Sequence, residues 1–302
     1  MFMTWFVLSL IAILFWSGSD LFSKMGSKPE DKYSHWKMVM AVGTVMGLHA
    51  IVMLALGTPF HPRDIITYMP ASAMYILSMV LGYVGLRYIE LSISSPICNS
   101  SGAVAALLCF IFLGQRMTGL QMFGVVLVCA GVLALAVIER RQDESVRLAL
   151  RKASNVKYER SVIAILFPIL YCLIDGLGTF ADAVLIEGET PIIAEGSANI
   201  AYELTFLAMA VFAFIYVVGV KKQKLSIPKE KEKLIAAVSE TAGQFAYIYA
   251  IAANAVVAAP MISSYCVMSL VWARIILKEK LTKPQYAVIA VTAVGIAILG
   301  ME

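Results

Sequence analysis

Charge is what this sequence has least of: only 15% of its 302 residues are Asp, Glu, Lys or Arg, against about 25% in an ordinary soluble domain. Apolar residues make up 60% of the chain, and mean hydropathy is +0.83. So few charges, gathered between long apolar runs, cannot coat a water-soluble surface of this size, which excludes a soluble globule. Histidine is nearly absent, with His35, His49 and His61 scattered through the first half. There is no H-E-x-x-H and no G-x-S-x-G, which speaks against a membrane enzyme with a metalloprotease helix or a nucleophile elbow. The five cysteines, Cys98, Cys109, Cys129, Cys172 and Cys266, all fall in apolar runs without a C-x-x-C. They read as small buried hydrophobes, so no disulfide framework, metal site or cofactor is indicated. A net charge of +4 is slight, and its basic clusters separate apolar runs, a signature of membrane topology and not of nucleic-acid binding. The first apolar run has neither a charged n-region nor an A-x-A site, so it reads as a retained span and not as a signal peptide.

What is present is a series of apolar stretches near the ~20 residues a bilayer-spanning helix needs. Ten candidate spans cover 3–25, 35–57, 71–89, 94–113, 120–138, 161–186, 194–220, 234–253, 257–277 and 285–301. The runs are too long, and alternate too little, for the strands of a membrane barrel. The expected fold is an all-α integral membrane protein. Two polar breaks interrupt it, residues 139–160 and 221–233. Both read as solvated basic loops, and in the first Val146, Leu148 and Leu150 interleave with Arg147, Arg151 and Lys152 as in a headgroup-lying amphipathic helix.

The two halves flanking the central break resemble one another. Ile11-Ala12-Ile13-Leu14-Phe15 recurs as Ile163-Ala164-Ile165-Leu166-Phe167. A constant offset then aligns Tyr83 with Tyr247, Pro96 with Pro260, Thr118 with Thr282, Gln121 with Gln285 and Gly131 with Gly295. Five spans per copy is an odd number, so the second copy must cross in the opposite sense, an arrangement typical of secondary transporters. The expected division is a first five-helix repeat over 1–139, a basic connection over 140–160 and a second repeat over 161–302.

The stretch from Gly82 to Leu135 resembles the second part of an EamA-type half in the drug/metabolite transporter superfamily. Phe112-Leu113-Gly114-Gln115-Arg116-Met117-Thr118 stands where that family has a "LGERLT" turn, with Gln115 for its usual Glu. Leu277-Lys278-Glu279-Lys280-Leu281-Thr282 stands there in the second half, with Lys278 for its usual Gly. Trp16-Ser17-Gly18-Ser19 is similar to the family's tryptophan signature in span 1, and Pro168 replaces the tryptophan in the second half. The resemblance implies ten transmembrane helices as two inverted repeats. Spans 3, 4, 8 and 9 would line a central cavity, 1, 2, 6 and 7 would complete it, and 5 and 10 would pack outside. Spans 5 and 10 contain no charged residue, as suits lipid-facing helices or a homodimer contact.

Of the 24 lysines and arginines, all but Arg63, Arg116 and Arg274 fall in alternate loops, 1–2, 3–4, 5–6, 7–8 and 9–10, or in their flanking helix ends. The positive-inside rule puts those loops in the cytoplasm and both termini outside, whereas the resemblance implies cytoplasmic termini.

A carboxylate at mid-bilayer costs roughly 2.5–3.5 kcal/mol, so it faces a cavity or a partner. Asp20, Asp175, Glu195, Glu203 and Glu240 lie within candidate spans. Asp182 lies nearer a span end, where an interfacial position beside the 187–191 turn is its simplest reading. Glu195, Asn199 and Glu203 share one face of span 7 with Tyr202 alongside, and Glu240, Gln244 and Tyr247 share one face of span 8. Such stripes form either a hydrogen-bonded seam between helices or the wall of a binding site. Asn99 follows Pro96, and Ser264 and Tyr265 follow Pro260, where paired helix breaks would serve alternating access. The sequence reading is therefore a secondary transporter in the cell membrane, with a small-molecule substrate and no nucleic-acid partner. Trp16, Asp20, Tyr83, Asn99, Asp175, Asn199, Tyr202, Glu203, Gln244, Tyr247, Ser264 and Tyr265 are its candidate binding residues. Acids and aromatics favour a cationic or zwitterionic solute, and Glu240, Asp175 and Glu203 are the candidates for proton coupling. The alternative on the same fold is a flippase or carrier of a lipid-linked or phosphorylated substrate.

Overall fold

The computed structural model describes residues 2–26, 31–85, 97–151, 162–187, 190–226, 228, 230–276 and 281–301. The regular structure of the described residues is all helical, with no strand. We number the helices α1 (Phe2–Gly26), α2 (Ser34–Ala55), α3 (Arg63–Gly85), α4 (Ser101–Phe112) and α5 (Gly119–Arg151) in the first half. In the second half they are α6 (Val162–Ile186), α7 (Glu195–Phe214, ending in a π-helical turn Ile215–Val220), α8 (Lys231–Ile262), α9 (Tyr265–Ile275) and α10 (Lys283–Leu299). Among the described residues α1, α2, α3, α6, α7 and α8 are long and apolar enough to cross a membrane. The protein is an all-α membrane protein of two inverted five-helix repeats.

The repeat is visible in which helices touch. α1 packs on α8 as α6 packs on α3, α2 meets α8 as α7 meets α3, and α4 meets α6 as α9 meets α1. The pairs α2–α7 and α5–α10 map onto themselves, so they lie on the pseudo-twofold axis. The residues that align between the halves also have physical work in common. Gln121 side-chain oxygen accepts from Thr118 N–H at 3.1 Å, and Gln285 does the same for Thr282 N–H at 2.8 Å; these are capping boxes starting α5 and α10. Gly131 meets Thr292 where the axis brings Gly295 against Val128.

Two expectations shift. α3 begins at Arg63, eight residues before the expected span, because the polar Arg63-Asp64 start and Pro70 hide a first turn that Asp64 caps by accepting from His61 N–H at 3.0 Å. Expected spans 8 and 9 do part at Asn254, where the backbone leaves helical geometry (φ −169°, ψ 83°) within Lys231–Ile262, but span 9 is itself divided. The break inside span 9 comes at Ser263-Ser264, and its counterpart is Asn99-Ser100. Ser100 N–H reaches Ile97 O at 3.2 Å and Ser264 N–H reaches Met261 O at 3.1 Å, so the two turns are the same structure. Asn99 and Ser264 are buried, and irregular backbone at membrane depth is tolerated where protein covers it. The broken helices cross closely at these turns: a side chain on Gly102 would run into Ser263 Oγ at 2.1 Å and Ala259 O at 2.4 Å.

α2 and α7 approach just as closely along Gly43-Thr44-Val45-Met46-Gly47. A β-carbon on Gly43 would meet Phe206 O at 2.4 Å, and one on Gly47 would meet the Leu207 side chain at 2.7 Å. Such small-residue stripes let membrane helices pack backbone to backbone.

Candidate functional site

The helices divide the polar residues of the interior into three groups. The first centres on Asp175 of α6 and Glu240 of α8. Asp175 accepts from Ser78 at 3.1 Å and from Ser101; Glu240 accepts from Ser19 and lies within reach of the charges of Asp20 and Asp175. The described partners of Asp175 and Glu240 are thus hydroxyls and not cations. Trp16 stands beside them, its ring 5.0 Å from that of Tyr247 and 5.8 Å from that of Tyr265. The Trp16 indole nitrogen and the Gln244 amide nitrogen are buried donors without an acceptor.

Burial distinguishes this group from its neighbours. Asp175 and Glu240 lie as deep among protein atoms as Asp182 does. Asp182 has no accessible surface, whereas Trp16, Asp20, Tyr171, Asp175, Glu240 and Tyr265 are half-buried. These deep groups are not fully packed against protein, and we refer to the space in front of them as the hollow. Three carboxylates and three aromatic side chains face it, toward the end of the molecule where α1 finishes and α8 starts.

The second group seals the opposite side. Asp182 is no interfacial residue. Tyr68 and Tyr75 of α3 donate to its two oxygens, the latter at 2.6 Å. Tyr247 pairs with the Tyr75 hydroxyl at 2.5 Å and donates to Thr179 at 2.9 Å. Tyr202 stacks edge-on against Tyr75 at 5.8 Å. All of these side chains are buried. An ionised or polar group so far from water survives only when its hydrogen bonds are made, and here both carboxylate oxygens are occupied. The sequence reading missed Tyr68, Tyr75 and the depth of Asp182. The signal was available on α6, where Asp175, Thr179 and Asp182 follow at i, i+4 and i+7 on one face.

The third group lies elsewhere. Asn199 and Glu203 of α7 face α2, where His49 Nδ1 is 2.7 Å from Glu203 Oε1, so these two do not border the hollow with Asp175 and Glu240. Asn99 and Ser264 sit in the helix breaks, and the Ser264 hydroxyl donates to Met261 O of its own helix at 2.6 Å. The Tyr83 side chain lies outside the described residues, as does Pro96. Among the described residues no cluster of His, Cys, Asp and Glu has the grouping of a metal site.

Beyond the membrane-spanning helices, the two ends differ. At one, Lys37 reaches Asp31 at 2.6 Å and Glu230 at 3.3 Å, and Lys233 reaches Glu230 at 2.6 Å and Gly26 O at 2.8 Å. Burial raises the Asp31 and Glu230 carboxyls, but the lysines beside them outweigh it and hold both below their usual values of 3.8 and 4.5. At the other end Gln115 donates to Glu187, whose second oxygen accepts from Ala255 N–H at 3.3 Å, just past the α8 kink. The Gln115 that departs from the expected glutamate is therefore a donor to a carboxylate.

The family model of the EamA-like transporter family matches this chain twice, over residues 3–137 and 162–301. The match spans both repeats and stops on either side of the central connection. Among 28 matching chains of solved structures, one described as "Crystal structure of protein" is 12% identical, covers 99% of this chain and 96% of its own, and superposes with a TM-score of 0.69. At that identity the likeness speaks for the fold. No curated protein matches the chain.

Proposed function

Because the chain belongs to the EamA-like transporter family, and is thus an integral membrane transporter of the drug/metabolite type, we propose that it carries a small cationic or zwitterionic metabolite by proton-coupled alternating access. The observation that carries this reading is the acidic hollow. Asp175 and Glu240 border it with hydroxyls as their described partners, and carboxylates held this way away from water attract a cation or a proton. An ammonium group would sit between Asp175, Glu240 and Asp20, against the faces of Trp16 and Tyr265. The unpaired Trp16 and Gln244 donors would take the carboxylate of a zwitterion, which favours an amino-acid-like solute. Asp175 or Glu240 takes up a proton when the cation leaves, and so exchanges one positive charge for another. The sealed Asp182 cluster is the closed side of the pathway in this state.

Two further parts of the reading concern setting. The positive-inside distribution favours a cytoplasmic position for the Lys37–Lys233 end, in the cell membrane. The outer faces of α5 and α10, with Phe123, Val126, Leu133, Tyr286 and Val294 exposed, suit a homodimer contact, which cross-linking in membranes would reveal by a dimer band.

A thermal-stability screen of the purified protein tests the central claim. Amines and amino acids should raise the melting temperature, and Asp175→Asn should abolish the rise. Stabilisation by sugar phosphates or lipid-linked phosphates instead would reject a cationic cargo in favour of the phosphorylated alternative.

A further inference from the structure

The seam between the repeats holds a titratable pair that the hollow does not use. Two residues beyond Gly47, α2 brings His49 against Glu203 of α7, with Nδ1 and Oε1 2.7 Å apart. Asn199, one turn earlier on α7, donates its amide Nδ2 to the same Oε1 at 3.0 Å. Glu203 has no accessible side-chain surface, while His49 keeps 29% of its own. The remaining oxygens, Glu203 Oε2 and Asn199 Oδ1, are both buried without a hydrogen-bond partner.

Among the described residues no other charge balances the carboxylate. α2 contributes His49, the only ion-pair partner of Glu203 among the described residues. α8 contributes Phe245, whose ring edge meets the imidazole at 5.4 Å, and the Tyr249 ring next to it. α7 adds Glu195 two turns away, near enough to Tyr249 for its charge to be felt there. With a neutral imidazole and an ionised Glu203, the seam would contain a full negative charge and two acceptor oxygens with nothing to accept. Buried polar groups in native proteins are rarely left so.

One additional proton removes the uncompensated charge, and placed on Oε2 it satisfies both oxygens as well. On the imidazole it makes an imidazolium–carboxylate pair. On Oε2 it makes a carboxylic acid that can donate to Asn199 Oδ1, while Asn199 Nδ2 donates to Oε1. The two forms are tautomers of the same neutral site. We propose that His49, Asn199 and Glu203 form a proton-binding site in the α2–α7 seam, separate from the acidic hollow, and that its proton holds the two repeats together in this state. The half-exposed imidazole is the entrance. Nε2 gains a proton from water to make the imidazolium–carboxylate form. Nδ1 then gives its own proton to the carboxyl group, which turns to bring the acid hydrogen to Asn199 Oδ1, and the imidazole is neutral again. Release by the reverse route leaves the charge and the unpaired oxygens in the seam and favours its opening. Because α2–α7 lies on the pseudo-twofold axis, occupancy here acts on how one repeat lies against the other. The site extends the proton-coupled reading above, but its occupancy does not depend on which solute the hollow binds.

The test therefore uses no solute. Full-length protein in lipid nanodiscs is melted from mildly acidic to mildly alkaline pH. The wild type should lose several degrees as the proton leaves, while Glu203→Gln, a neutral isostere with a donor in place of the hydroxyl, should stay level across that range. Both are compared in an Asp175→Asn/Glu240→Gln background, where the carboxylates of the hollow no longer titrate, which separates this site from the hollow. A Glu203→Gln profile parallel to the wild type overturns the proposal. If the variant melts too poorly to compare, infrared difference spectra at neutral pH decide. Loss of a carboxylic or imidazolium band in Glu203→Gln supports the site, and absence of both from the difference overturns it.

Discussion

Asp175 and Asp182 stand two turns apart on one face of α6 and have opposite surroundings. Asp182 meets Tyr68 and Tyr75 from α3 and, through Tyr75 and Thr179, Tyr247 from α8, with no surface left to water. Asp175 meets the small hydroxyls of Ser78 and Ser101 and keeps part of its surface. Large hydroxylated rings close the space in front of one carboxylate, and serines leave it open in front of the other. The proposed carrier needs one sealed and one accessible side, and α6 would run through both.

If that contrast is real, the two aspartates should fail in different ways. Asp182→Leu removes the acceptor of two buried tyrosine hydroxyls, and breaking a buried charged network in this way costs about 3–5 kcal/mol. Asp175→Asn keeps an acceptor for its serines beside water, so its cost should stay under about 1 kcal/mol. Melting of the two variants measures the difference. Equal losses would mean that both carboxylates are structural and that the hollow has no special standing.

Accessibility gives the next largest effect. In a background without the five native cysteines, Glu240→Cys should react with a water-soluble maleimide at least an order of magnitude faster than Thr179→Cys. Similar rates would erase the distinction between open and sealed sides. Glu240→Gln addresses the chemistry of the open side. It should leave the melting temperature close to the wild type and flatten the pH dependence of solute uptake. Unchanged pH dependence in proteoliposomes would remove Glu240 from the coupling reaction.

The sequence made the frame of this comparison legible and concealed its contacts. Apolar runs located the helices because lipid forces every backbone group to pair within its own helix. The register between halves was readable because Thr118 and Thr282, Gln121 and Gln285, and Gly131 and Gly295 cap or pack in equivalent ways. Asp175 and Glu240 stood out because a charge is costly there. Asp182 was obscured by its nearness to an acidic turn, and its tyrosines come from α3, more than a hundred residues earlier in the chain. His49 looked like one of three scattered histidines, since only the α2–α7 crossing sets it against Glu203. Pro96 and Pro260 signalled helix breaks near Asn99 and Ser264, but not the close crossing of the broken helices at Gly102.

The smallest expected effect concerns the end of the molecule beyond the open side, where Lys37 and Lys233 bind Asp31 and Glu230. These pairs tie the end of α1 and the start of α2 to the start of α8, the helix that carries Glu240. Asp31 and Glu230 keep 21% and 19% of their side-chain surface, so water screens the attraction and each pair should contribute under about 1 kcal/mol. Both carboxyls sit below their usual values of 3.8 and 4.5 because of the lysines. A depressed carboxyl stabilises the fold fully above its unfolded value and loses that contribution as pH falls through the depressed one. Glu230→Gln should therefore melt slightly below the wild type at neutral pH, and the gap should close in acid, where the wild type has lost the same charge. A gap that persisted in acid would trace the effect to packing around the buried Lys233 and not to charge. The sealed and open sides would then differ in their hydrogen bonds alone, with no ionic tie beneath the open one.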